Sequence, residues 1–498
     1  MQKSIIIKID VSVFLLRRYI PDVHGRGAVG HKIRIIRKTN GITTSFDLRT
    51  PRPSNFLTAF FYSIRETKET QMKICKSVTL YNDGVHTKKY YFFGIRYLKC
   101  TWSNTMREIY LFKFKLFRQY KRNQYSTFIN LPKKPLLLWF DHCLGGGTEA
   151  YTLKKFETLT NEYLVFRIQY FHMFKKFKIY SPNPGVDGEV WVDTVYELKM
   201  FFMQFKASKI VVNNLVGYKN SLDILNLITK IKTKNKSLHV TYMGHDFQSI
   251  CPNYNLINCD GQYCNLKYKN GCEACWAKTR LGRDNFEHEI LRSGATTISL
   301  WKKSFAHFFE NTVDEMVVFS DAIKDIFVRA YPVLKTKIVV IPHNVRKYPR
   351  IKIPEHDGVN IACLGNICSY NKGALIIRQM CEYLKQSYMY TGVRLFVIGN
   401  LSDGNSNIPD NLHITGQYNP DDLPEIIKNN QIDIIFIPSV WPETFSYTTS
   451  EAMAMGLPVA CFNLGAPAER VEKYKKGLVI KQIDAQSALN QMVDFIKR

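Results

Sequence analysis

From Leu136 to the end of the chain, short apolar runs alternate with longer amphipathic segments. The apolar runs, such as LLLWFDH (136–142) and IDIIFIP (432–438), have the length and composition of buried strands. Amphipathic segments such as NKGALIIRQMCEYLKQ (371–386) have the length and period of helices. This alternation is typical of a parallel sheet covered by helices on both faces, so the sequence predicts an α/β fold.

A polar segment, YPRIKIPEHDG (348–358), interrupts this pattern before a second series of strands and helices begins. Two series predict two Rossmann-like domains, residues 135–350 and residues 351–498, which face a cleft. Ligands of such sheets bind beyond the carboxyl ends of the strands, so we expect the functional residues there.

Residues 1–134 have no helical period, and their short aromatic and β-branched runs predict a small β-rich region. This region is strongly basic: residues 1–135 hold 27 Lys and Arg against 7 Asp and Glu, in a chain of net charge +27. A near-repeat, KYYFFGIRYLK (89–99) and EIYLFKFKLFR (108–118), predicts a basic, aromatic hairpin. It is either an ordinary half-buried hairpin or a face that lies on anionic lipid headgroups, and we predict membrane contact through residues 1–130.

The sequence also bears on the location of the protein and on nucleic acid as a partner. No apolar run reaches the roughly 18–20 residues that span a bilayer. The start, MQKSIIIKID, is interrupted by Lys8 and Asp10 and lacks a small-residue cleavage site, which predicts a cytoplasmic protein. The basic surplus is not on an obvious recognition helix and no zinc-finger Cys/His spacing is present, which disfavours nucleic acid as a partner.

Five of the twelve cysteines fall within residues 251–276, in a polar, loop-like insert. Four of them have the spacing of a closed structural zinc site, ending in Cys-x2-Cys; they are Cys251, Cys264, Cys272 and Cys275. A metal would stabilise a segment that has so little apolar content. Free thiols, or a redox or iron–sulfur role, are the alternatives.

The stretch WPETFSYTTSEAMAMGLPV (441–459) follows the apolar run 432–438 and contains two glutamates, Glu443 and Glu451. Glu443 falls in the loop after the strand, and Glu451 falls inside a helix that starts near Phe445–Ser446 and is stopped by Gly456 and Pro458. The free N–H groups at such a helix start bind phosphate. Taken alone, each glutamate is compatible with a solvated surface charge, but together they fit a nucleotide sugar, with hydroxyls at two ends and a diphosphate between them.

Glu443-x7-Glu451, followed by AMAMGLPV and GAPAER, resembles the donor-site signature of the retaining GT-B glycosyltransferases of family four. The segment WPETFSYTTSEA is closest to the corresponding segment of enzymes that build bacterial O-antigens and capsules. The resemblance covers about residues 136–498. It implies that Glu443 contacts the transferred sugar and that Glu451 holds the nucleotide ribose. It also implies that the backbone amides of Thr444, Phe445 and Ser446 hold the diphosphate.

Further residues match the family in position. Lys372 resembles the lysine that neutralises the leaving diphosphate, in the segment that also contains Gly365 and Asn366. Asn366 stands near the place of the usual companion arginine, so Lys372 acts with backbone donors or an arginine from elsewhere. His245 resembles a histidine that lies near the reaction centre in this family. The alternative is that it is a structural or capping histidine. The loop Gly145, Gly146 and Gly147 resembles the first loop of the family, which borders the diphosphate and the acceptor.

The resemblance implies a retaining hexosyl- or deoxyhexosyltransferase that uses a UDP-, GDP- or dTDP-sugar without a catalytic metal. Its expected acceptor is a glycan, lipid-linked and made for the bacterial surface, at the inner face of the bacterial membrane. The alternatives are a GT-B sugar-nucleotide epimerase or hydrolase and, from another class, a basic nucleic-acid-binding protein.

Overall fold

The computed structural model describes residues 128–498 except 220, 283–296, 368 and 402–406, and within residues 1–127 it describes the strand segments named below. The strands of the two α/β domains are β10 Leu136–Asp141, β11 Leu164–Phe171, β12 Lys176–Tyr180, β13 Glu189–Val192, β14 Ala207–Val212, β15 His239–Met243, β16 Glu315–Val318, β17 Ile338–Val340, β18 Val359–Ile367, β19 Val393–Leu401, β20 Leu412–Ile414, β21 Ile434–Ile437, β22 Val459–Phe462 and β23 Gly477–Ile480.

The α-helices connect and cover these strands. They are α1 Gly146–Glu162, α2 Val195–Gln204, α3 Ser221–Lys234, α4 Cys272–Gly282, α5 Ile298–Asn311, α6 Asp321–Ala330, α7 Ala374–Gln386, α8 Leu423–Asn429, α9 Tyr447–Ala454, α10 Gly465–Glu472 and α11 Ala485–Lys497. A short 3-10 turn, Tyr370–Lys372, precedes α7.

The first parallel sheet has the strand order β13-β12-β11-β10-β14-β15-β16-β17 in the part of the chain that is described. Six of its strands are parallel, namely β11, β10, β14, β15, β16 and β17, with β10 at the point where the order reverses. All six residues of β10 are buried, as expected of a strand covered on both faces. The strands β12 and β13 extend this sheet in antiparallel pairing at one edge, which the sequence analysis did not predict.

The second sheet is parallel throughout, and its described strands have the order β20-β19-β18-β21-β22-β23. Renumbered within the domain, this order is 3-2-1-4-5-6, the strand order of a Rossmann fold. Strands β21 and β22 are fully buried in an apolar core that α9 and α10 help to cover. The predicted fold class, with two Rossmann-like domains after a β-rich region, is confirmed.

The β-rich N-terminal region forms two sheets. The first contains four antiparallel strands, β1 Ile5–Ile9, β2 Ser12–Arg18, β3 His31–Thr39 and β4 Ile42–Thr50. The second contains β5 Cys75–Asn82, β6 Val85–Phe92, β7 Ile95–Trp102, β8 Met106–Leu111 and β9 Phe114–Tyr120 in chain order. Each copy of the near-repeat spans the end of one strand and the start of the next.

Among the described residues, no helix is both long enough and apolar enough to cross a bilayer.

Candidate active site

Strand order brings two separate loops together in the second α/β domain. Strands β19 and β20 lie on one side of β18, while β21 to β23 lie on the other side. The loops that leave β18 and β21 therefore diverge, and the crevice between them is where ligands bind in such sheets. The loop after β18 contains Lys372, and the loop after β21 contains Glu443.

Glu443 and Lys372 form an ion pair, with 2.7 Å between Lys372 Nζ and Glu443 Oε1. The hydroxyl of Ser439 donates to the same carboxylate oxygen. Burial of Glu443 acts to raise its pKa, but Lys372 and the hydroxyl donors outweigh burial and hold the pKa below its usual value. The Lys372 side chain is 35% exposed and that of Glu443 only 6%, so the ammonium group can meet a ligand while it stays paired.

Two glycines allow the backbone to approach closely around this pair. A Cβ atom on Gly373 would lie 2.1 Å from the carbonyl oxygen of Pro438, and one on Gly465 would lie 2.6 Å from the carbonyl carbon of Pro442. Both glycines have positive φ angles, 85° and 59°. The N–H of Ala466 donates to the carbonyl of Glu443 at 2.9 Å, so the start of α10 packs directly on the Glu443 loop.

Helix α9 begins at Tyr447, one residue after the left-handed Ser446, whose φ angle is 66°. This start lies within two residues of the predicted one. Glu451 is half-buried on α9, and burial raises its pKa while Arg346 opposes the shift. It also interacts electrostatically with Tyr348 and Tyr418. The two glutamates therefore have different surroundings, one paired with a lysine and one among tyrosines.

The glycine loop of the first α/β domain meets the start of α9. Gly145 and Gly146 have positive φ angles, 76° and 75°, and a Cβ atom on either would meet nothing within 4 Å. A Cβ atom on Gly147 would instead lie 3.3 Å from the Tyr447 ring. The end of β18 approaches the same helix, because a Cβ atom on Gly365 would lie 3.5 Å from Thr448. The neighbouring Asn366 is exposed on β18.

His245 is buried and held by Asn213. The Asn213 amide nitrogen donates to Asp141 and to Thr152 at 3.0 Å each, so its oxygen accepts from His245 Nε2, also at 3.0 Å. Burial lowers the pKa of His245 well below its usual range, which keeps the ring neutral. Its backbone carbonyl accepts from the Thr444 hydroxyl at 2.9 Å, which ties the loop that contains Glu443 to the first α/β domain.

His343 is a buried residue of this region that the sequence analysis did not single out. Its ring stacks on Phe445 with 4.4 Å between centroids and on Tyr151 with 4.6 Å, and its Nδ1 lies 2.7 Å from the Tyr447 hydroxyl. Burial lowers its pKa to about 3, so this ring is neutral too. The only sequence signal was its place at the end of an apolar run, KIVVIPH, like that of His245.

Arg470, in the GAPAER segment, was also not predicted as a site residue. Its guanidinium lies over the Phe445 ring, 4.5 Å from the centroid, and donates to the carbonyls of Phe445 and Ser446. The backbone that the resemblance assigns to the diphosphate is therefore fixed by a residue 24 positions later in the chain.

The four predicted metal ligands line one cavity of about 40 Å³. Cys259 does not line it; its N–H donates to Cys275 Sγ at 3.2 Å and its own thiol lies 3.1 Å from the Tyr268 hydroxyl. In the described part of the chain, no group of three or more His, Cys, Asp or Glu side chains is arranged to hold a metal ion. The zinc therefore stays a prediction.

The cysteine-rich insert also contacts the second α/β domain. The Tyr370 hydroxyl donates to the carbonyl of Gly261 at 2.7 Å. Tyr370 begins the 3-10 turn that ends at Lys372, so the insert lies close to the ion pair.

Residues 350–498 match the protein-family model of Glycosyl transferases group 1. The chain thus carries a group 1 glycosyl transferase domain. This domain contains Glu443, Lys372 and Glu451, together with the loops that position them. No curated protein matches the chain.

Several solved structures are similar to the chain. Alr3699/HepE of Anabaena in complex with UDP-glucose is 13% identical, with 73% of this chain and 88% of that chain covered and a TM-score of 0.45. The lipopolysaccharide outer core galactosyltransferase WaaB is also 13% identical, with 72% and 90% covered and a TM-score of 0.43. A trehalose-6-phosphate structure from E. coli, bound with UDP-2-fluoro glucose, is 9% identical, with 72% and 91% covered and a TM-score of 0.40.

Proposed function

We propose that the protein is a retaining glycosyltransferase that moves a hexosyl or deoxyhexosyl group from a nucleotide sugar to a glycan acceptor. The observation that carries this proposal is the ion pair between the buried Glu443 and the half-buried Lys372, at the point where the strand order of the group 1 domain reverses. An ionised carboxylate there accepts hydrogen bonds from sugar hydroxyls, and the ammonium beside it meets the negative charge of a diphosphate.

Each part of the donor has a proposed partner. Glu443 receives the hydroxyls of the transferred sugar, and Glu451 receives the ribose. The backbone amides of Thr444, Phe445 and Ser446 and the start of α9 hold the diphosphate, since N–H groups and the helix dipole favour an anion there. Lys372 and these amides stabilise the charge that develops as the glycosidic bond breaks. The exposed Asn366 lies on the strand that ends beside this site.

The acceptor enters, in this proposal, past the first α/β domain. The open space above Gly145 and Gly146 is compatible with a ligand close to the backbone. The acceptor hydroxyl attacks on the face that the diphosphate leaves, and the departing phosphate takes its proton. The neutral His245 ring has its Nε2 proton bound to Asn213, so we assign it a positioning role beside the transferred sugar.

A panel of UDP-, GDP- and dTDP-sugars tests the proposal. We expect one nucleotide class to raise the thermal unfolding midpoint of the full chain and to be hydrolysed slowly without acceptor. With a glycan acceptor, nuclear magnetic resonance should show a product with the anomeric configuration of the donor. Binding without turnover, or turnover that yields an epimerised nucleotide sugar, would favour the alternative functions.

We further propose a lipid-linked glycan of the bacterial surface as the acceptor, reached by a protein that lies at the inner face of the membrane. The support is the surplus of Lys and Arg in residues 1–130, which is suited to anionic headgroups. A vesicle co-sedimentation assay tests this proposal. Anionic vesicles should sediment the full chain, and vesicles of neutral lipid should not. Equal sedimentation with both would remove the electrostatic basis for membrane contact.

We propose that the cysteine-lined cavity holds a structural Zn²⁺ through Cys251, Cys264, Cys272 and Cys275. The support is that these four cysteines, and not Cys259, are among the residues that line one cavity, in a segment with little apolar content. Bound zinc would crosslink the insert and fix its contact with Tyr370. Its four thiolates leave no open position for catalysis.

Metal analysis of the purified chain should find one zinc per molecule, and replacement of both Cys272 and Cys275 by serine should remove it. We expect the double variant to unfold at a lower temperature than the wild type, because zinc binding contributes directly to folding. Cys143→Ser is the matched control, since Cys143 lies outside the cluster, and it should keep the metal. A wild-type chain that holds no zinc and is insensitive to chelators would leave the cysteines as free thiols.

A further inference from the structure

Ser446 and Tyr447 need an external constraint to hold their backbone. Ser446 has a φ angle of 66°, in the left-handed region that residues other than glycine rarely adopt. Its side chain makes no hydrogen bond that caps α9. The conformation at the start of α9 is therefore one that surrounding contacts must impose.

Arg470 supplies several of these contacts, beside the Thr449 hydroxyl, which donates to Ser446 Oγ at 2.9 Å. Its Nη2 donates to the carbonyl of Phe445 and, at 3.1 Å, to that of Ser446, while Nη1 donates to the Ser450 hydroxyl. Its Nε donates to Ala466 within its own helix, α10, at 3.2 Å. A planar guanidinium can satisfy these acceptors at once, whereas the single ammonium of a lysine cannot.

A carbonyl that is held in place also orients the next N–H group. The atoms of a trans peptide lie in one plane, with C=O and N–H pointing in opposite directions. Fixing the Phe445 carbonyl thus directs the N–H of Ser446 away from Arg470, and fixing the Ser446 carbonyl directs the N–H of Tyr447 in the same way. These donors stand at the start of α9, where the proposed function places the diphosphate.

The same helix also holds Glu443. The N–H of Ala466, the second residue of α10, donates to the Glu443 carbonyl, and the Ala466 carbonyl accepts from Arg470. Helix α10 therefore links the backbone of Glu443 to the backbone of Ser446 through one arginine.

We infer that Arg470 is a positioning residue, which sets the N–H groups of Ser446 and Tyr447 for the leaving diphosphate through their preceding carbonyls. This inference rests on the proposed function for the nature of the ligand. The rival explanation is that Arg470 replaces the missing arginine near Asn366 as a distant positive charge. The two explanations predict different results for Arg470→Lys, because lysine keeps the positive charge but lacks the planar guanidinium.

The test compares the wild type with Arg470→Lys and Arg470→Ala on the donor that the nucleotide-sugar panel selects. We expect kcat to fall about 10-fold or more in Arg470→Lys and about 100-fold in Arg470→Ala, as for other small misplacements of catalytic groups. The donor KM should change less than kcat, since the diphosphate gains a further negative charge as the glycosidic bond breaks, beyond the charge it already carries in the bound donor. A kcat for Arg470→Lys within twofold of the wild type would overturn the inference in favour of a distant charge.

Arg394→Lys is the matched control. Arg394 lies at the amino end of β19 and donates to Asn360 at 2.8 Å, away from the crevice. We expect its kcat to stay within twofold of the wild type, and an equal fall in this control would mean that any lost arginine impairs the domain.

Amide hydrogen exchange provides a readout that needs no substrate. We expect the hydrogen-bonded amides of α9 to exchange faster in Arg470→Lys than in the wild type, because the start of the helix is held less firmly, with the core strand β21 unaffected. Unchanged exchange would overturn the inference even if the donor panel succeeds. If the wild type turns over no nucleotide sugar while exchange changes as expected, the proposed function fails and the positioning contact stands.

Discussion

Glu443→Gln is expected to lower kcat for sugar transfer by about 10²–10³-fold, the usual effect of removing one charge-stabilising group from an active site. Glutamine keeps the shape of the side chain and an oxygen that accepts from Lys372 and Ser439, so the loop should keep its conformation. What is lost is the negative charge that strengthens hydrogen bonds to the sugar hydroxyls. Steady-state transfer with the donor selected by the panel measures the change.

Glu425→Gln is the matched control for this variant. Glu425 is exposed on α8 in the same domain, and its replacement should leave kcat within twofold of the wild type. Circular dichroism and the thermal midpoint should show that Glu443→Gln is folded. Full transfer activity in a folded Glu443→Gln protein would remove Glu443 from the proposed site.

Lys372→Met should lower kcat by roughly 10³-fold, at the upper end of the range for a single electrostatic contact, because the leaving diphosphate loses its cation. Lys372→Arg keeps the charge and should retain more activity than Lys372→Met. Equal activities in these two variants would show that the charge at position 372 does not act on the leaving group.

Lys372→Met should also destabilise the fold by about 1–3 kcal/mol, because it leaves the Glu443 carboxylate buried without its counter-charge. We place the effect below that of a fully buried pair, since the Lys372 side chain is 35% exposed and solvent screens it. Denaturant unfolding at pH 7 measures this free energy.

The pH dependence of the free energy of unfolding should have opposite signs in the wild type and in Lys372→Met. In the wild type the pKa of Glu443 is lowered, so this group stabilises the fold above the ordinary glutamate pKa, and the stabilisation is lost as the pH falls through its folded pKa. Without Lys372, burial is the largest remaining effect and raises the pKa. The variant should then lose stability as the pH rises through that pKa, and unfolding between pH 4 and pH 8 distinguishes the two slopes.

Lys385→Met serves as the control for the loss of a lysine. Lys385 pairs with Asp410 at an exposed position on α7, where solvent screens the pair, so its replacement should change the free energy of unfolding much less than Lys372→Met does. A loss in Lys385→Met as large as that in Lys372→Met would contradict the special place of the Glu443–Lys372 pair.

The strands that could be predicted most directly are those buried on both faces. Strands β10, β21 and β22 read as continuous apolar runs because helices cover both sides of a parallel sheet. The hairpin of β12 and β13 was missed, since KFKIY and EVWV alternate apolar and polar residues over only a few positions. Such short strands depend on pairing within the sheet, β12 with β11 and β13 with β12, which the local sequence does not reveal.

Other contacts of the candidate site depend on packing between elements distant in the chain. His343 and Phe445, whose rings stack, belong to different α/β domains, and Arg470 reaches back to a loop that precedes it by a strand and a helix. A histidine after an apolar run and an arginine in a helix are common features, so neither identified a partner. The spacing of the cysteines, by contrast, selected the four that line one cavity and left Cys259 outside it.

By itself, the sequence determined the local features: the alternation of strands and helices, the helix that Gly456 and Pro458 terminate, and two glutamates in different local settings. These follow from burial pattern, turn chemistry and helix ends, which act over a few residues. Only the tertiary structure decided that Glu443 meets Lys372, 71 residues earlier in the chain. The order of strands in a sheet decides which loops meet, and it is set by the packing of whole elements rather than by the residues within any one of them.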